Sequence, residues 1–471
     1  MSSFSALGIA GIVQAYVERR LSPVDVAQWC IEAVREQDPR FHAWECFDET
    51  ALLRQARASE SRLRGGQAPG LLEGIPVAVK DIFNTADFPT QMGSPIWRGF
   101  TPGNDARAVF NLRRAGAVIP GKTVTAEFAV HTLGKTLNPH SAVVTPGTSS
   151  SGSAVAVATG MVPVALGTQT AGSIIRPASF CGVWGCKPSF GLVPRTGMLK
   201  TTDSLDTVGY FVSHAADLST VLEALRVRGP NFPISHAALS DAARQSPPAG
   251  RPWRVAVVRP HVWQHAPAYA QQALQSWCER LARDSRYEVV DAQLPLSMAR
   301  SHAVHEAIYN RSLAYYFQEE FKRAELISPI MNRLIVAGQS VTNKQYEGAL
   351  EEQVTLSREM ETFTRSYDVV VTLSTAGHAP SRDQEEAPDA ALMWTLAHLP
   401  AVSAPAFTSP QGLPFGLQLA ARRYNDHLLF AFIGELVQRG LLPARTRPAS
   451  HADAPGQGGA AGSEVPAAAR S

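Results

Sequence analysis

Residues 145–188 constrain this chain more than any other segment. Two stretches within it, Pro146–Ser153 and Gly167–Ser173, are crowded with glycine and hydroxyl side chains, and an Ala/Val-rich element separates them. Small residues allow tight turns and let backbone N–H groups approach a ligand closely. The segment therefore predicts two loops around a binding site, with one serine in each loop as a candidate for covalent chemistry.

Short apolar runs alternate with helical patterns along the chain, which predicts the α/β class. Residues 75–79 are typical of a buried strand that ends at Lys80, and Ser22–Asp25 has the cap, proline and acid of a helix start. We expect helices over 4–62 and a connecting loop over 229–251. The predicted organisation is an N-terminal helical region (1–65), a core (66–225), the remainder of the same α/β domain (226–445) and a disordered tail (446–471).

Composition limits the classes of partner. The chain has 471 residues, of which 43 are basic and 41 acidic, and no block of like charge favours nucleic acid or an anionic membrane. We therefore expect a small-molecule substrate, without nucleic acid or membrane as a partner. Five scattered cysteines favour neither a disulfide framework nor a metal site. The N-terminus lacks the features of a signal peptide, so we expect a cytoplasmic protein.

Ser173 is the candidate nucleophile, because Ala171 and Gly172 before it allow backbone N–H groups to converge on an oxyanion. A serine hydroxyl needs a base, and no histidine is singled out by its neighbours. Lys80 could serve as this base if the end of its strand is buried. Working as a neutral amine requires its pKa to fall by roughly 3 units from about 10.4. The alternative is an ordinary surface lysine.

Three motifs together resemble the amidase signature family of serine hydrolases. They are GIPVAVKD at 74–81, PGTSSSGSA at 146–154 and GTQTAGSIIRPASFCGVWGCKPS at 167–189. The similarity extends from about residue 20 to about residue 440. It implies a large mixed β-sheet sandwiched between α-helices, acyl-pocket helices within 226–445, hydrolysis of linear carboxamide C–N bonds, no metal or organic cofactor, and a homodimer as the family-level expectation.

The resemblance also implies a Ser-Ser-Lys triad. Ser173 matches the nucleophile, Ser149 the bridging serine that follows a cis peptide bond, and Lys80 the base. The proton would pass from Ser173 through Ser149 to Lys80. The oxyanion hole would consist of backbone N–H groups, those of Thr170, Ala171, Gly172 and Ser173.

Two departures bear on the substrate. Gln169 and Ala171 replace the Asp and Gly that are common before the nucleophile, which argues against the glutaminase subunit of a tRNA amidotransferase; that subunit, working within a complex, remains the alternative. The TQTAGS–IRP arrangement resembles malonamidase-like members of the family, in which the arginine binds a substrate carboxylate. We therefore expect Arg176, with Thr148 and Gln169, to bind a small amide that carries a carboxylate. Otherwise Arg176 only braces its loop, and a non-catalytic scaffold is a third hypothesis for the whole chain.

Several other polar and aromatic residues are predicted to be structural. Asp206 is expected to accept backbone hydrogen bonds in a turn. The others are Ser150, Ser153, His131, His140, Tyr309 and Trp394.

Overall fold

The computed structural model describes residues 6–446 of the chain. Its strands are β1 Trp44–Phe47, β2 Val77–Lys80, β3 Gly121–Thr123, β4 Val164–Gln169, β5 Trp184–Lys187, β6 Thr207–Val212, β7 Trp253–Val258, β8 Tyr287–Ala292, β9 Val369–Leu373, β10 Ala401–Thr408 and β11 Pro414–Ala420. They form one sheet in the order β1-β3-β2-β4-β6-β5-β10-β11-β9-β7-β8. The pairs β2/β3, β2/β4, β7/β8 and β7/β9 are parallel and the other neighbours are antiparallel. The expected α/β fold with a mixed sheet is confirmed.

Several helices begin after a residue whose side chain accepts a hydrogen bond from the first turn. Ser22 Oγ accepts from the Asp25 N–H and Asp25 accepts from the Ser22 N–H, so the predicted helix start at Ser22–Asp25 is confirmed. None of the helices within residues 6–446 is long and apolar enough to cross a bilayer. Their bounds are α1 Ile9–Val17, α2 Pro23–Phe41, α3 Glu49–Arg64, α4 Arg107–Arg114, α5 Ser151–Ala158, α6 Ile175–Cys181, α7 Asp217–Leu225, α8 Pro233–Ser240, α9 Ala242–Gln245, α10 Ala268–Ala282, α11 Ser301–Tyr316, α12 Gln318–Phe321, α13 Pro329–Ser340, α14 Asn343–Thr364, α15 Ala391–Leu396 and α16 Asp426–Gln438.

Two local predictions are wrong. Residues 4–62 are not all helical, because β1 lies within them and joins the sheet edge with Trp44 opposite Thr123. Residues 229–251 are not a plain loop either, since they contain α8 and α9, and Pro233 occupies the first turn of α8. The predicted tail lies outside the described residues from position 447 onward.

The sheet brings the two candidate segments together. Strands β2 and β4 are parallel neighbours, with Val79 opposite Leu166, so both end at the same edge. Lys80 closes β2 there, and the second glycine-rich loop leaves β4 beside it. Helix α5 begins directly after the first loop, where a Cβ on Gly152 would lie 2.4 Å from the Ala43 carbonyl oxygen. Glycine at this position allows the start of α5 to lie against the sheet.

Candidate active site

Lys80 is fully buried at the end of β2, so the alternative of a surface lysine is wrong. Its Nζ lies 2.7 Å from Ser149 Oγ, 2.9 Å from Ser150 Oγ and 3.0 Å from Thr168 Oγ1. Burial holds the pKa of the Lys80 amine well below its usual value, and the carboxylate of Asp206 opposes this only in part. The fold therefore provides a desolvated amine in contact with the predicted bridging serine. The peptide bond between Thr148 and Ser149 is cis, as the resemblance implies.

The loop between β4 and α6 carries Ser173, whose residue surface is 8% exposed. Two consecutive carbonyl groups in this loop accept hydrogen bonds from side chains. His305 Nε2 donates to the Thr170 carbonyl and Thr395 Oγ1 donates to the Ala171 carbonyl, each at 2.9 Å. A carbonyl shares its rigid peptide plane with the N–H of the next residue. These bonds therefore set the directions of the Ala171 and Gly172 N–H groups, two of the predicted oxyanion donors.

The tautomer of His305 follows from this contact. A carbonyl can only accept, so Nε2 carries the proton. Burial lowers the pKa of His305 to about 4, against the opposing effect of the Thr170 bond. The pKa of His131 is also lowered to about 4, by burial and then by the charge of Arg176. Both imidazoles are therefore neutral at neutral pH, and each ring packs near Tyr309.

Both polar atoms of the Gln169 side chain make hydrogen bonds within the protein. Its Oε1 accepts from the backbone N–H groups of Ile174 and Ile175, each at 2.9 Å, and its Nε2 donates to Thr395 Oγ1 at 3.0 Å. The side chain is fully buried. The expectation that Gln169 contacts the substrate directly is therefore corrected: it ties the start of α6 to α15.

Asp206 confirms its predicted role in a turn, since its carboxylate accepts from the backbone N–H groups of Thr201 and Thr202. It also accepts from Thr170 Oγ1 at 2.7 Å. The turn before β6 is thus connected to the loop that carries Ser173. The hydrogen bond from Thr170 to Asp206 therefore helps to hold the loop that carries Ser173 in place.

Arg176 is already paired with carboxylates. Its Nη1 lies 2.6 Å from Glu386 Oε2 and its Nε 2.8 Å from Asp389 Oδ2. The Thr148 N–H and hydroxyl both donate to Glu386, at 3.2 and 3.3 Å. Burial disfavours the charge on Arg176, but the two carboxylates more than compensate and raise the pKa of its guanidinium. Glu386 therefore links Arg176 to the residue that precedes Ser149.

The remaining polar residues near the loops have structural contacts, as predicted. Ser150 Oγ and Ser153 Oγ donate to carbonyl groups of β4, at 3.2 and 2.7 Å. His140 Nε2 lies 3.0 Å from the last carbonyl of α6. Tyr309 and Trp394 are buried in the core.

Sequence reasoning missed four residues of this site: His305, Thr395, Glu386 and Asp389. They come from α11, from α15 and from the segment before α15, more than 130 positions beyond Ser173. No short motif surrounds any of them. To find them from the sequence, one would have to know which distant residues they contact in the folded chain.

Comparison with known proteins identifies the family to which this chain is similar. The sequence profile of the Amidase family matches residues 25–430. A glutamyl-tRNA(Gln) amidotransferase subunit from Nostoc punctiforme is 30% identical over 464 residues, which cover 88% of this chain and 94% of the relative. The native peptide amidase of Stenotrophomonas maltophilia superposes with a TM-score of 0.80 at 25% identity, covering 95% of this chain and 99% of that one. A vestigial complex related to the origins of an s-triazine catabolic enzyme gives a TM-score of 0.82 at 26% identity, covering 94% and 100%.

These relatives overturn the expected partners. A small-molecule amide was predicted, with no nucleic acid or membrane as a partner and a possible homodimer. The matched relative from Nostoc punctiforme is by name one subunit of a larger enzyme, and the name of that enzyme includes a tRNA. Net charge gave no indication of protein partners, because it describes the whole surface rather than a single contact face. The motifs, the mixed sheet and the profile match together show that this amide-hydrolysing enzyme belongs to the amidase family.

Proposed function

We propose that this protein hydrolyses a linear carboxamide through a seryl acyl-enzyme, as the amide-cleaving subunit of an amidotransferase-like complex. The observation that carries the chemistry is the buried Lys80 amine, 2.7 Å from Ser149 Oγ. Burial favours the neutral amine, and a neutral amine can accept a proton. The amidotransferase named among the relatives supports the assembly.

The hydroxyls around Lys80 favour one direction of proton transfer. A neutral amine offers two N–H donors and one lone pair. Ser150 donates its own proton to a β4 carbonyl, so its oxygen accepts from Lys80. Thr168 Oγ1, at 3.0 Å, takes the second N–H. The lone pair is then left for the Ser149 O–H, which is the direction that a relay toward Lys80 requires.

In the proposed reaction, Ser173 Oγ attacks the amide carbonyl carbon while its proton passes to Ser149, and the Ser149 proton passes to Lys80. The C–N bond then breaks, and the proton returns along the same path to the leaving nitrogen. Water attacks the resulting ester with Lys80 again as the base. The carboxylic acid leaves and Ser173 recovers its proton. The fixed N–H groups of Ala171 and Gly172 stabilise the oxyanion in both steps.

Thr395→Val should lower kcat by about tenfold and leave KM nearly unchanged. The substitution keeps the side-chain shape but removes the hydroxyl that holds the Ala171 carbonyl, so the Gly172 N–H loses its fixed direction. Complete loss of one oxyanion donor costs about 10²–10³ in rate, and misdirection should cost less. Steady-state kinetics on one amide measure the effect. Thr395→Ser, which keeps the hydroxyl, should retain most of the activity, and equal losses in the two variants would contradict this role.

We propose that Arg176 braces the two loops rather than binding a substrate carboxylate, because Glu386 and Asp389 already occupy its guanidinium. Arg176→Ala should lower the free energy of unfolding by about 3–5 kcal/mol, since two largely buried carboxylates lose their counter-ion. Rates on malonamate and on butanamide should fall by the same factor. Urea unfolding and kcat/KM on both amides test this.

A charge-compensated variant separates bracing from recognition. Arg176→Met combined with Asp389→Asn and Glu386→Gln leaves no uncompensated carboxylate, so it should recover part of the stability that Arg176→Ala loses. A selective loss of malonamate hydrolysis, with butanamide spared, would instead identify Arg176 as a carboxylate receptor and refute the bracing role.

Partner dependence tests the proposed assembly. The tagged chain, purified gently from its own cells with bound proteins, is compared with the same chain freed of them by high salt. Ammonia release from glutamine and from simple amides should be at least about tenfold faster in the first preparation, while a fluorophosphonate labels Ser173 in both. Equal rates in the two preparations would contradict a subunit role and leave the hydrolytic chemistry intact.

A further inference from the structure

We propose that a groove remote from the triad binds a ligand that carries a phosphoryl group. The arginine groove, as we call it, is a cavity of about 580 Å³ between α8, α9, the C-terminal half of α14 and the segment before α16. It is independent of the proposed function, since none of the residues placed in the catalytic chemistry lines it. Its charged lining residues are Asp241, Arg244, Arg358, Glu361, Arg422 and Arg423.

Four arginines therefore face two carboxylates in one cavity, in a chain whose total net charge is only +2. Asp241 caps α9, where it accepts the backbone N–H of Arg244. Glu361 accepts from Arg422 Nε at 2.5 Å. Only one of the four guanidinium groups thus has a carboxylate partner within the groove.

Arg244 is anchored by hydrogen bonds to neutral groups, and it has no direct ion pair with a carboxylate of the groove. Its Nε donates to Asn425 Oδ1 at 2.5 Å, and its Nη2 donates to the Arg423 carbonyl. Burial and then repulsion from the Arg422 guanidinium lower the pKa of Arg244, and the carboxylates of Glu361 and Asp241 offset this only in part. The two guanidinium groups therefore still repel each other. An anion between them would relieve that repulsion.

The guanidinium groups of Arg358 and Arg423 have N–H donors that no residue of the described chain uses. Arg358 projects from α14, and its guanidinium has no ion-pair or hydrogen-bond partner among residues 6–446. Arg423 Nε is buried without a partner in the described part of the chain, although its Nη2 reaches the Phe190 carbonyl at 3.4 Å. The buried Arg423 Nε–H is costly without a partner, so a ligand oxygen that satisfied it would be favoured. The Arg358 side chain is exposed, and its guanidinium is free to turn toward an anion in the groove.

The chemistry of the lining specifies the ligand class. Guanidinium forks match phosphoryl oxygens bidentately, which a monocarboxylate cannot exploit at several arginines at once. Apolar side chains of Ile234, Ala238 and Leu399 and the ring of Tyr424 complete the wall. Ile234 is 72% exposed, and a ligand body would cover it. A phosphoryl group joined to a flat or apolar body, as in a nucleoside monophosphate, fits both parts of the groove.

Calorimetric titration with AMP, adenosine and inorganic phosphate tests the proposal and separates a nucleotide from free phosphate as the source of the group. We expect saturable AMP binding that weakens with added salt, weaker phosphate binding, and no adenosine binding. Phosphate as tight as AMP would keep the phosphoryl site and reject the nucleotide body. Adenosine as tight as AMP, or no saturable binding of AMP or phosphate at millimolar concentration, would overturn the proposal.

Variants of opposite sign make the test specific. Arg358→Gln should weaken AMP binding at least about tenfold, whereas Arg333→Gln, an exposed arginine on α13 outside the groove, should have no effect. Glu361→Gln frees Arg422 and should tighten binding several-fold, which structural damage would not do. Equal losses in Arg358→Gln and Arg333→Gln, or weaker binding in Glu361→Gln, would refute the arginine groove as a phosphoryl site.

Discussion

Ser173→Ala should abolish amide hydrolysis, with kcat reduced by about 10⁴–10⁶. The proposed ester cannot form without the Ser173 hydroxyl, and only binding and the oxyanion donors remain to assist water. Ammonia release measures the loss, and labelling with a fluorophosphonate followed by peptide mass spectrometry identifies the modified residue. The label should be found on Ser173 in the wild type and be absent in the variant.

Ser153→Ala is the matched control, because Ser153 lies in α5 near the same site and its hydroxyl donates to a β4 carbonyl. It should lower the free energy of unfolding by about 1–3 kcal/mol and leave labelling intact. Full turnover in Ser173→Ala, or a label on another serine, would refute the proposed nucleophile.

Lys80→Met should reduce kcat by about 10²–10⁴ while the protein remains folded. Methionine fills the buried volume but has no amine to accept the proton from Ser149. Lys80→Arg should not restore the rate, since a guanidinium stays protonated. Comparing the three proteins by kinetics and by thermal unfolding separates the loss of a base from the loss of packing. Wild-type rates at neutral pH in Lys80→Met would exclude Lys80 as the base.

The pH dependence of kcat gives an independent signature of Lys80. Its pKa is lowered by burial, so the amine is protonated and inactive below that lowered pKa and neutral and active above it. We therefore expect kcat to rise with pH and to level off well below about pH 10.4, the usual pKa of lysine. This rising limb should be missing from the residual activity of Lys80→Met. A limb that persists there would assign it to another group.

Local sequence was sufficient where the physical cause is local. The start of α2 depends on Ser22 and Asp25 three residues apart, and the strand that ends at Lys80 follows from the apolar run that precedes it. The burial of Lys80 itself was left open by the sequence and depends on the strands and loops around it. Patterns failed where the cause lies elsewhere in the chain: β1 is a strand because it meets β3, more than 70 positions later. Residues 229–251 form helices because α8 and α9 pack against each other and α9 against α16.

The α/β class, the amidase signature motifs and the two loops with their candidate serines could all be predicted from the sequence, because each depends on residue types at short, regular spacing. The contacts that hold those loops are visible only in the folded chain. His305 and Thr395 orient the carbonyls before Ser173, and Glu386 and Asp389 occupy Arg176. These contacts join residues more than 130 positions apart, and hydrogen bonds of that range depend on the order of strands in the sheet, which no local pattern encodes.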